Sequence, residues 1–421
     1  LAWRVGFMRV FLSLLLLEAF INVVFEGQIN REIFALIYIL INSLAIMGWF
    51  YIKSKNKTIF MILMFGLLVR LAALWYDQSI SYLPFNTGDS YKFHELAVET
   101  ANALPDVMLE HFTGFYSQVL GVVYYFFGPY RFFGQYLNIV FVVLAGTKLI
   151  DIANLLKLKD KNTALMVALW LFMPIPFLMG YALIREGSMY YLIMLGVYYF
   201  LKWFEKYNPI YILLTIVPIY IASLYHEGAL YILPPMIYAF IFYDRKKERI
   251  KFNAANIICL VVAIIGAIVI VTTNQEEFLG KTNAETGGGS SYLTSLEINN
   301  PMQFIMFAPI KGFYLLYSPM PWLIRGGLDI PTFLFDTCLW GYATYNILKN
   351  FRKIDTKYKM LFLAIFVAGM IYGMGTHNTG TAMRHRNKFM SLMLISYIAT
   401  KDKFIDGKKE EEKEKEGEQV C

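Results

Sequence analysis

The sequence predicts an all-α fold, a polytopic bundle of about twelve transmembrane helices. Of the 421 residues, 57% are hydrophobic and only 16% are charged, and the mean hydropathy is +0.49. Soluble domains are nearer a quarter charged. Apolar runs of about 18 residues or more recur along the chain, and each can cross a ~30 Å hydrocarbon core as a helix. The runs are continuous rather than alternating, which argues against transmembrane β-strands.

Two spans occupy residues 1–57, ahead of a core of spans in 58–400. The first span is predicted to be a retained helix rather than a signal peptide, because it lacks a small-residue cleavage site and another apolar run follows closely. Two further apolar runs, 113–128 and 303–318, are shorter. The sequence leaves open whether they cross the membrane or lie in its interface. The twelve predicted spans are 5–25, 33–52, 58–76, 131–156, 163–183, 187–203, 210–225, 228–243, 253–273, 328–347, 358–375 and 388–400.

The lysines and arginines sort the loops onto two sides of the membrane. With both short runs in the interface, the loops of one side carry 26 of the 38 basic residues and those of the other side carry 10. Because cytoplasmic loops carry such an excess, both termini are predicted to be cytoplasmic. Fourteen spans would turn loops such as KLKDK (157–161) outward, and we rank that topology second. The charged tail 401–421 is predicted to be solvated and disordered.

Composition also argues against several functions. Cys259, Cys338 and Cys421 are scattered, so neither a disulfide framework nor a CxxC metal site is predicted. The basic loops explain the net charge of +7 without nucleic acid. The sequence has no Walker loop, HExxH, GxSxG or Asp-x-Asp pair, so no cofactor is expected and a divalent metal is not indicated. No internal repeat is evident, which disfavours a transporter built from inverted repeats.

Unusual polar residues are predicted to gather on the outer side, where all five histidines fall. Membrane helices can bring distant loops into one cavity, and this convergence is the main functional signal. Each pair among the clusters can also be an interfacial helix end that happens to be polar. The four polar clusters are the loop 85–106, Arg185-Glu186, His226-Glu227 and the segment 375–388.

Individual residues in these clusters suggest chemistry. Asp89 is a candidate functional carboxylate, although Asp is also a preferred helix cap. The run RHRNK (384–388) places three permanent cations beside the last span, and guanidinium groups bind phosphate oxygens bidentately, so it predicts a phosphate or pyrophosphate site. Arg70 and Asp336 lie within apolar helices, where a charge costs on the order of 3 kcal/mol, so they are functional candidates. For these two, a structural ion pair or snorkelling is the alternative.

These features resemble the GT-C superfamily of membrane glycosyltransferases, which use sugars carried on polyprenyl phosphate lipids. The resemblance covers 58–400, including the large outer loops 77–112 and 274–327. The sequence departs from the pattern in having one outer-loop acid rather than a pair, and two additional spans before the core. The matching segments are TGDSYKFHELA, YYFFGPYRFFGQYLN (124–138), LWLFMPIPFLMGYALIRE, LLYSPMPW (315–322) and TAMRHRNKFMSLMLISYIA.

The resemblance implies an inverting, metal-independent transfer from a polyprenyl-phosphate-linked sugar to a glycan, lipid or protein acceptor on the periplasmic or extracellular face. Asp89 would be the general base. The carrier phosphate would be bound by Arg384, Arg386, Lys388, Arg185 and Arg70. The sugar and acceptor would be contacted by Tyr91, His94, Glu95, Glu186, His226, Glu227, His377 and His385.

Two other functions remain open from the sequence. A polysaccharide polymerase or ligase, of O-antigen or capsule type, would transfer a whole glycan from a pyrophosphate lipid and differs in its leaving group. A flippase or exporter of lipid-linked sugars would carry polar residues through the middle of its bundle, where Arg70, Asp336 and Glu18 are the main examples here. The Lys- and Ile-rich composition favours a bacterial inner (plasma) membrane.

Overall fold

The computed structural model describes residues 30–54, 56–112, 114–251, 253–273, 290–294, 296 and 298–406. These residues are mostly helical, so the predicted all-α class is confirmed. The predicted first span, with Glu18, lies outside the described residues, as do most of the charged tail and Cys421.

Sixteen helices are labelled here in chain order, together with one β-hairpin. A π-helical turn, Thr332–Thr337, leads into the helix Cys338–Lys349, and a second one, Asp402–Asp406, follows the helix Met390–Lys401. The elements are α1 (Arg31–Lys53), α2 (Lys57–Ser79), α3 (Asp89–Ala103), α4 (Phe115–Phe127), α5 (Arg131–Leu156), α6 (Asp160–Phe172), α7 (Pro174–Tyr181), α8 (Glu186–Lys206), α9 (Ile210–Tyr225), α10 (Leu233–Phe242), β1 (Tyr243–Asp244), β2 (Arg249–Ile250), α11 (Ala254–Thr273), α12 (Pro301–Tyr317), α13 (Cys338–Lys349), α14 (Thr356–Met374), α15 (Thr379–Asn387) and α16 (Met390–Lys401).

The sequence itself accounts for several helix boundaries. The Asn30 side chain accepts hydrogen bonds from the backbone amides of Glu32 and Ile33 at the start of α1, and Asn56 accepts one from Thr58 at the start of α2. These bonds satisfy amides that have no partner within the helix. Pro174 follows the end of α6, and α6 and α7 are bent by 57° there because proline lacks the amide hydrogen that a continuous helix needs.

Four helices in the described part of the chain are long and apolar enough to cross a membrane, namely α1, α2, α5 and α14. The bent pair α6–α7 passes the same test as one unit. Apolar side chains on α1, such as Leu40 and Leu44, are 61% and 58% exposed, as expected of a helix that faces lipid. These helices indicate an integral membrane protein, while the number of twelve spans stays a prediction.

The two short apolar runs both form helices. At about 1.5 Å per residue, the 13 residues of α4 extend about 20 Å, which is less than the ~30 Å hydrocarbon core. The 17 residues of α12 extend about 25 Å. The length of α4 therefore favours a position in the interface over a complete span.

The chain divides into two compact units. Unit 1 comprises the described residues up to Asp151, with Thr163–Phe172 and Phe177–Tyr191. Unit 2 comprises Ile152–Asn162, Met173–Pro176 and the described residues from Leu192 onward.

Within unit 1, α1 and α5 run parallel and α2 runs opposite to both. The Tyr136 hydroxyl, near the start of α5, donates to Asn42 of α1 at 2.8 Å, and Lys53 at the end of α1 pairs with Asp151 of α5. Asp77, near the end of α2, accepts a hydrogen bond from the amide of Gln135 in α5 at 3.0 Å. Unit 1 therefore has an Asp77 end and a Lys53 end, which the charge pattern assigns to opposite sides of the membrane.

Unit 2 likewise has two ends. At one, which we call the Thr356 end, the Thr356 hydroxyl donates to the Glu248 carbonyl at 2.9 Å, Lys357 pairs with Glu205 at 2.8 Å, and Lys403 pairs with Asp355 at 3.1 Å. These contacts join loops that the charge pattern assigns to a single side of the membrane. The opposite end of α14 contacts His226, and we call it the His226 end.

The β-hairpin lies within the basic segment after α10. Tyr243 pairs with Ile250 and Asp244 with Arg249 in antiparallel register. No strand is predicted from the sequence of this segment, so the hairpin is a feature that only the structure provides.

Candidate functional site

Asp89 is the first residue of α3, and its side chain is exposed. The N-cap of this helix is Gly88, with φ of +58°, and the cap makes no side-chain hydrogen bond. A positive φ favours glycine, because it places no Cβ in a crowded position. The predicted capping alternative therefore does not describe Asp89, which lies one residue inside the helix, where a negative charge also interacts favourably with the helix dipole.

The loop before Asp89 is held by a group of polar side chains that we call the loop cluster, consisting of Asp77, Asn86, Ser90, Arg131 and Gln135. Asp77 is 2% exposed and accepts hydrogen bonds from the Leu83 amide at 2.7 Å and from the Asn86 side chain at 2.5 Å. Arg131 donates to the Asn86 carbonyl at 2.7 Å and to the Ser90 hydroxyl at 2.9 Å. The cluster fixes the backbone on both sides of Asp89.

Asn86 also connects this loop to the segment before α8. Its side-chain oxygen accepts hydrogen bonds from the Ser90 hydroxyl and from the Leu183 amide, both at 2.9 Å. Arg185 follows, with its guanidinium carbon 5.8 Å from the centre of the Phe93 ring on α3. Glu186 is fully buried at the start of α8. Two of the four predicted clusters, the Asp89 loop and Arg185-Glu186, are thus joined at the Asp77 end of unit 1.

Three further predicted residues lie on α3. The Tyr91 ring lies 4.4 Å from the guanidinium carbon of Arg131, while Glu95 is exposed. His94 is half-buried, with its Nδ1 atom 3.0 Å from the Tyr124 hydroxyl. Burial and the positive charge of Arg131 lower the pKa of His94, against a smaller opposing effect of Glu95. The lowered pKa favours the neutral imidazole, which can both donate and accept a hydrogen bond.

Arg70 has structural contacts in unit 1. It is fully buried, and its guanidinium donates to the carbonyls of Gly66 at 3.1 Å and Leu171 at 2.8 Å. These bonds occupy the group inside the helix bundle, where a lipid phosphate has no access. Asp336 of unit 2 is 1% exposed and accepts a hydrogen bond from the Ile175 amide. Both buried charges fit a structural role better than a binding role.

A second group, which we call the histidine cluster, lies at the His226 end of unit 2 and consists of His226, Tyr372, His385 and Lys388. The Tyr372 hydroxyl lies 3.1 Å from Nδ1 of His226 and 3.4 Å from Nζ of Lys388. Lys388 Nζ lies 2.9 Å from Nδ1 of His385. The structure thus joins the other two predicted clusters, His226-Glu227 and the segment 375–388.

The hydrogen bonds define the protonation of both histidines. The Gly228 amide donates to Nδ1 of His226 at 3.3 Å, so that atom carries no hydrogen and accepts from Tyr372. Nδ1 of His385 accepts from the Lys388 ammonium. This pattern of bonds is that of a neutral imidazole that accepts through Nδ1 and carries its proton on Nε2.

Gly228 makes room for this arrangement. A Cβ atom at position 228 would overlap the ring of Tyr372. Tyr372 is 7% exposed and stacks near both imidazoles, with ring centres 5.3 Å from His226 and 4.7 Å from His385. The cluster is consequently a close-packed unit rather than a set of independent surface side chains.

The basic run 384–388 divides into residues with different surroundings. Arg386 is 1% exposed and donates to the Ser318 carbonyl at 2.6 Å and the Thr337 hydroxyl at 3.1 Å. Arg384 is half-buried in the last turn of α15. Lys388 is 1% exposed within the histidine cluster. Arg384 remains a candidate for phosphate binding, whereas Arg386 and Lys388 are both buried and have the contacts of structural residues.

The remaining predicted residues lie nearby in unit 2. Glu227 is exposed beside His226, and His377 is 8% exposed, with its carbonyl accepting a hydrogen bond from the Tyr292 amide. Within the described ranges, no three His, Cys, Asp or Glu side chains are placed to hold a metal ion together.

Sequence reasoning missed the residues that position the site. Asp77 lies near the end of one long apolar helix and Gln135 near the start of another. Their polarity at these positions could have identified them as site residues. Tyr372 gave no such signal, because tyrosine is common in the apolar helices of this chain, which has 30 tyrosines.

No family model, curated protein or solved structure matches the chain.

Proposed function

We propose that this protein is a membrane glycosyltransferase of GT-C type. It transfers a sugar from a polyprenyl-phosphate or -pyrophosphate lipid to a glycan, lipid or protein acceptor, without a metal ion. The proposal includes twelve spans, cytoplasmic termini, and a site on the outer face of a bacterial inner membrane that serves cell-envelope glycan assembly.

The observation that carries the proposal is the setting of Asp89. Its carboxylate is exposed, but the loop before it is tied by buried hydrogen bonds of Asp77, Asn86 and Arg131. A general base must be held within hydrogen-bond reach of the proton it removes. An exposed acid on an immobilised loop meets that requirement. An acid that serves only solubility does not need an immobilised loop.

The chemistry follows from these groups. Asp89 removes the proton from an acceptor hydroxyl, whose oxygen forms a bond to the anomeric carbon of the sugar. The bond between that carbon and the carrier phosphate breaks, and its electron pair leaves with the phosphate. Arg384, together with His226 and His385, stabilises that charge, because hydrogen bonds to an ionised oxygen are stronger than bonds between neutral groups.

The test is sugar transfer by the purified full-length protein with polyprenyl-phosphate and polyprenyl-pyrophosphate sugar donors, with and without a chelator. We expect Asp89→Asn to reduce turnover by about 100-fold or more, the usual contribution of a general base. Asp106→Asn is the matched control, because Asp106 is an exposed acid in the same region. It should retain wild-type turnover.

Each outcome has a defined meaning. Chelator-resistant transfer that is lost only in Asp89→Asn supports the mechanism. Equal activity of both variants removes Asp89 from the reaction. Use of pyrophosphate donors carrying a whole glycan favours a polymerase or ligase. Absence of transfer with every donor tested favours an exporter.

A further inference from the structure

The β-hairpin of unit 2 concentrates positive charge in a short segment. Five of the seven residues 245–251 are Lys or Arg. An excess of basic residues is expected of any cytoplasmic loop. Such loops need no defined structure, so the ordered geometry of this one requires a separate explanation.

Several contacts hold the hairpin in one conformation. The Asp244 carboxylate accepts hydrogen bonds from the amides of Lys246 and Lys247 at 3.0 and 3.3 Å. The Arg245 guanidinium lies 4.1 Å from the centre of the Tyr207 ring, and the Glu248 carbonyl accepts the hydroxyl of Thr356. The turn is therefore fixed at its start, at its tip and against α14.

Three of its cations line a cavity of about 360 Å³. Lys247, Arg249 and Lys251 are exposed, and none forms an ion pair with any residue that the structure describes. Arg249 begins β2 and Lys251 directly follows it, where the Lys251 amide still donates to the Phe242 carbonyl at 2.7 Å. Residues two positions apart in extended backbone lie on the same face. The cavity also contains Asp244 and Asn253, which leaves a surplus of two positive charges.

The flanking helices indicate where this cavity lies relative to lipid. α10 ends directly before the hairpin, and its Ile241 is 60% exposed. α11 begins shortly after, and its Ile258 and Val262 are both 61% exposed. Exposed aliphatic faces on both sides place the hairpin beside hydrocarbon, at the level of lipid headgroups.

We propose that the hairpin is a binding site for the phosphate of an anionic phospholipid headgroup. Lys247, Arg249 and Lys251 contact the phosphate oxygens, and the acyl chains lie along the exposed faces of α10 and α11. Guanidinium and ammonium groups are the usual phosphate ligands, and basic residues next to a membrane helix attract anionic lipid. The site does not depend on the proposed glycosyl transfer.

The experiment measures lipid binding to the purified full-length protein by native mass spectrometry, with phosphatidylglycerol and phosphatidylcholine of identical acyl chains. The test variant combines Lys247→Gln, Arg249→Gln and Lys251→Gln. The control variant removes the same charge from another loop of the Thr356 end, through the changes Lys349→Gln, Lys353→Gln and Lys359→Gln.

We expect the hairpin variant to bind phosphatidylglycerol roughly 100-fold more weakly and the control variant less than threefold more weakly. Phosphatidylcholine binding should weaken much less, because the choline ammonium already neutralises the charge of its phosphate. The preference for phosphatidylglycerol should weaken as ionic strength rises. Equal losses of phosphatidylglycerol binding in both variants would show an effect of net charge alone and overturn the site. No loss of binding in either variant would also overturn it. If millimolar glycerol-1-phosphate competed as effectively as the whole lipid, the site would bind a free phosphate ester, and the proposal that the phosphate comes from a lipid would be overturned.

Discussion

Arg384 and Arg386 are two positions apart on α15, and the structure gives them different surroundings. Residues two apart on a helix point about 200° apart around its axis, so both cannot face the same ligand. Arg386 faces inward and donates to the carbonyls of Leu316 and Ser318, at the end of α12, where backbone acceptors have no partner within the helix. The sequence identified both charges, but it did not show that the short helix α15 turns their side chains in different directions.

Replacement of Arg386 by Met should therefore destabilise the protein rather than alter only its activity. The change leaves the Leu316 carbonyl without this donor, and the Ser318 carbonyl keeps only the hydrogen bond from the Thr337 hydroxyl. A buried unsatisfied acceptor costs about 1–3 kcal/mol. We expect a loss of about 3 kcal/mol in the free energy of unfolding, measured by denaturation in detergent.

The control for this prediction is Arg352→Met. Arg352 is exposed, so its replacement should change stability by less than about 0.5 kcal/mol. Equal stability of the two variants would contradict the structural role of Arg386 and return it to the phosphate site.

Among the elements, α12 and α14 are packed unusually closely, through glycines. Gly369 and Gly373 are spaced four residues apart on α14, a pattern that lets two membrane helices approach at the backbone. A Cβ atom at Gly373 would lie 2.6 Å from the carbonyl carbon of Lys311 on α12. This approach also allows the Lys311 ammonium to reach the Met374 carbonyl at 3.3 Å.

Gly373→Ala should therefore force α12 and α14 apart. The obstructing atoms are backbone and cannot rotate away, so we expect a loss of about 2 kcal/mol of stability. Gly341→Ala on α13 is the matched control, because no atom lies within 4 Å of a Cβ there. It should be neutral or stabilise by about 0.5–1 kcal/mol through helix propensity, and a thermal denaturation series on both variants would decide.

Long uniform helices were predictable from hydropathy, and irregular elements were not. The bounds 131–156 and 210–225 predicted from the sequence coincide with α5 and α9. The predicted span 163–183 is instead divided at Pro174, because hydropathy measures the affinity of a segment for lipid and not its direction. The hairpin was missed because a run of Lys and Arg has no alternating apolar pattern.

On the scale of the whole molecule, the predicted meeting of four polar clusters divides into two pairs, one in each unit. Asn86 joins the Asp89 loop to the segment before Arg185, and Tyr372 joins His226 to His385. The charge pattern assigns both the loop with Asp89 and the loop with His226 to the outer side of the membrane, and labelling can test that assignment.

Cysteine labelling in cells provides the test, in a variant whose three native cysteines are replaced by serine. Asp106→Cys reports on the outer loop of unit 1, Glu227→Cys on the His226 end and Lys353→Cys on the Thr356 end of unit 2. All three positions are exposed. We expect a membrane-impermeant maleimide to label the first two in intact spheroplasts and the third only after permeabilisation. Labelling of Asp106→Cys and Glu227→Cys from opposite sides would contradict the predicted topology and the proposed mechanism, which needs Asp89 and the phosphate-binding residues on one face of the membrane.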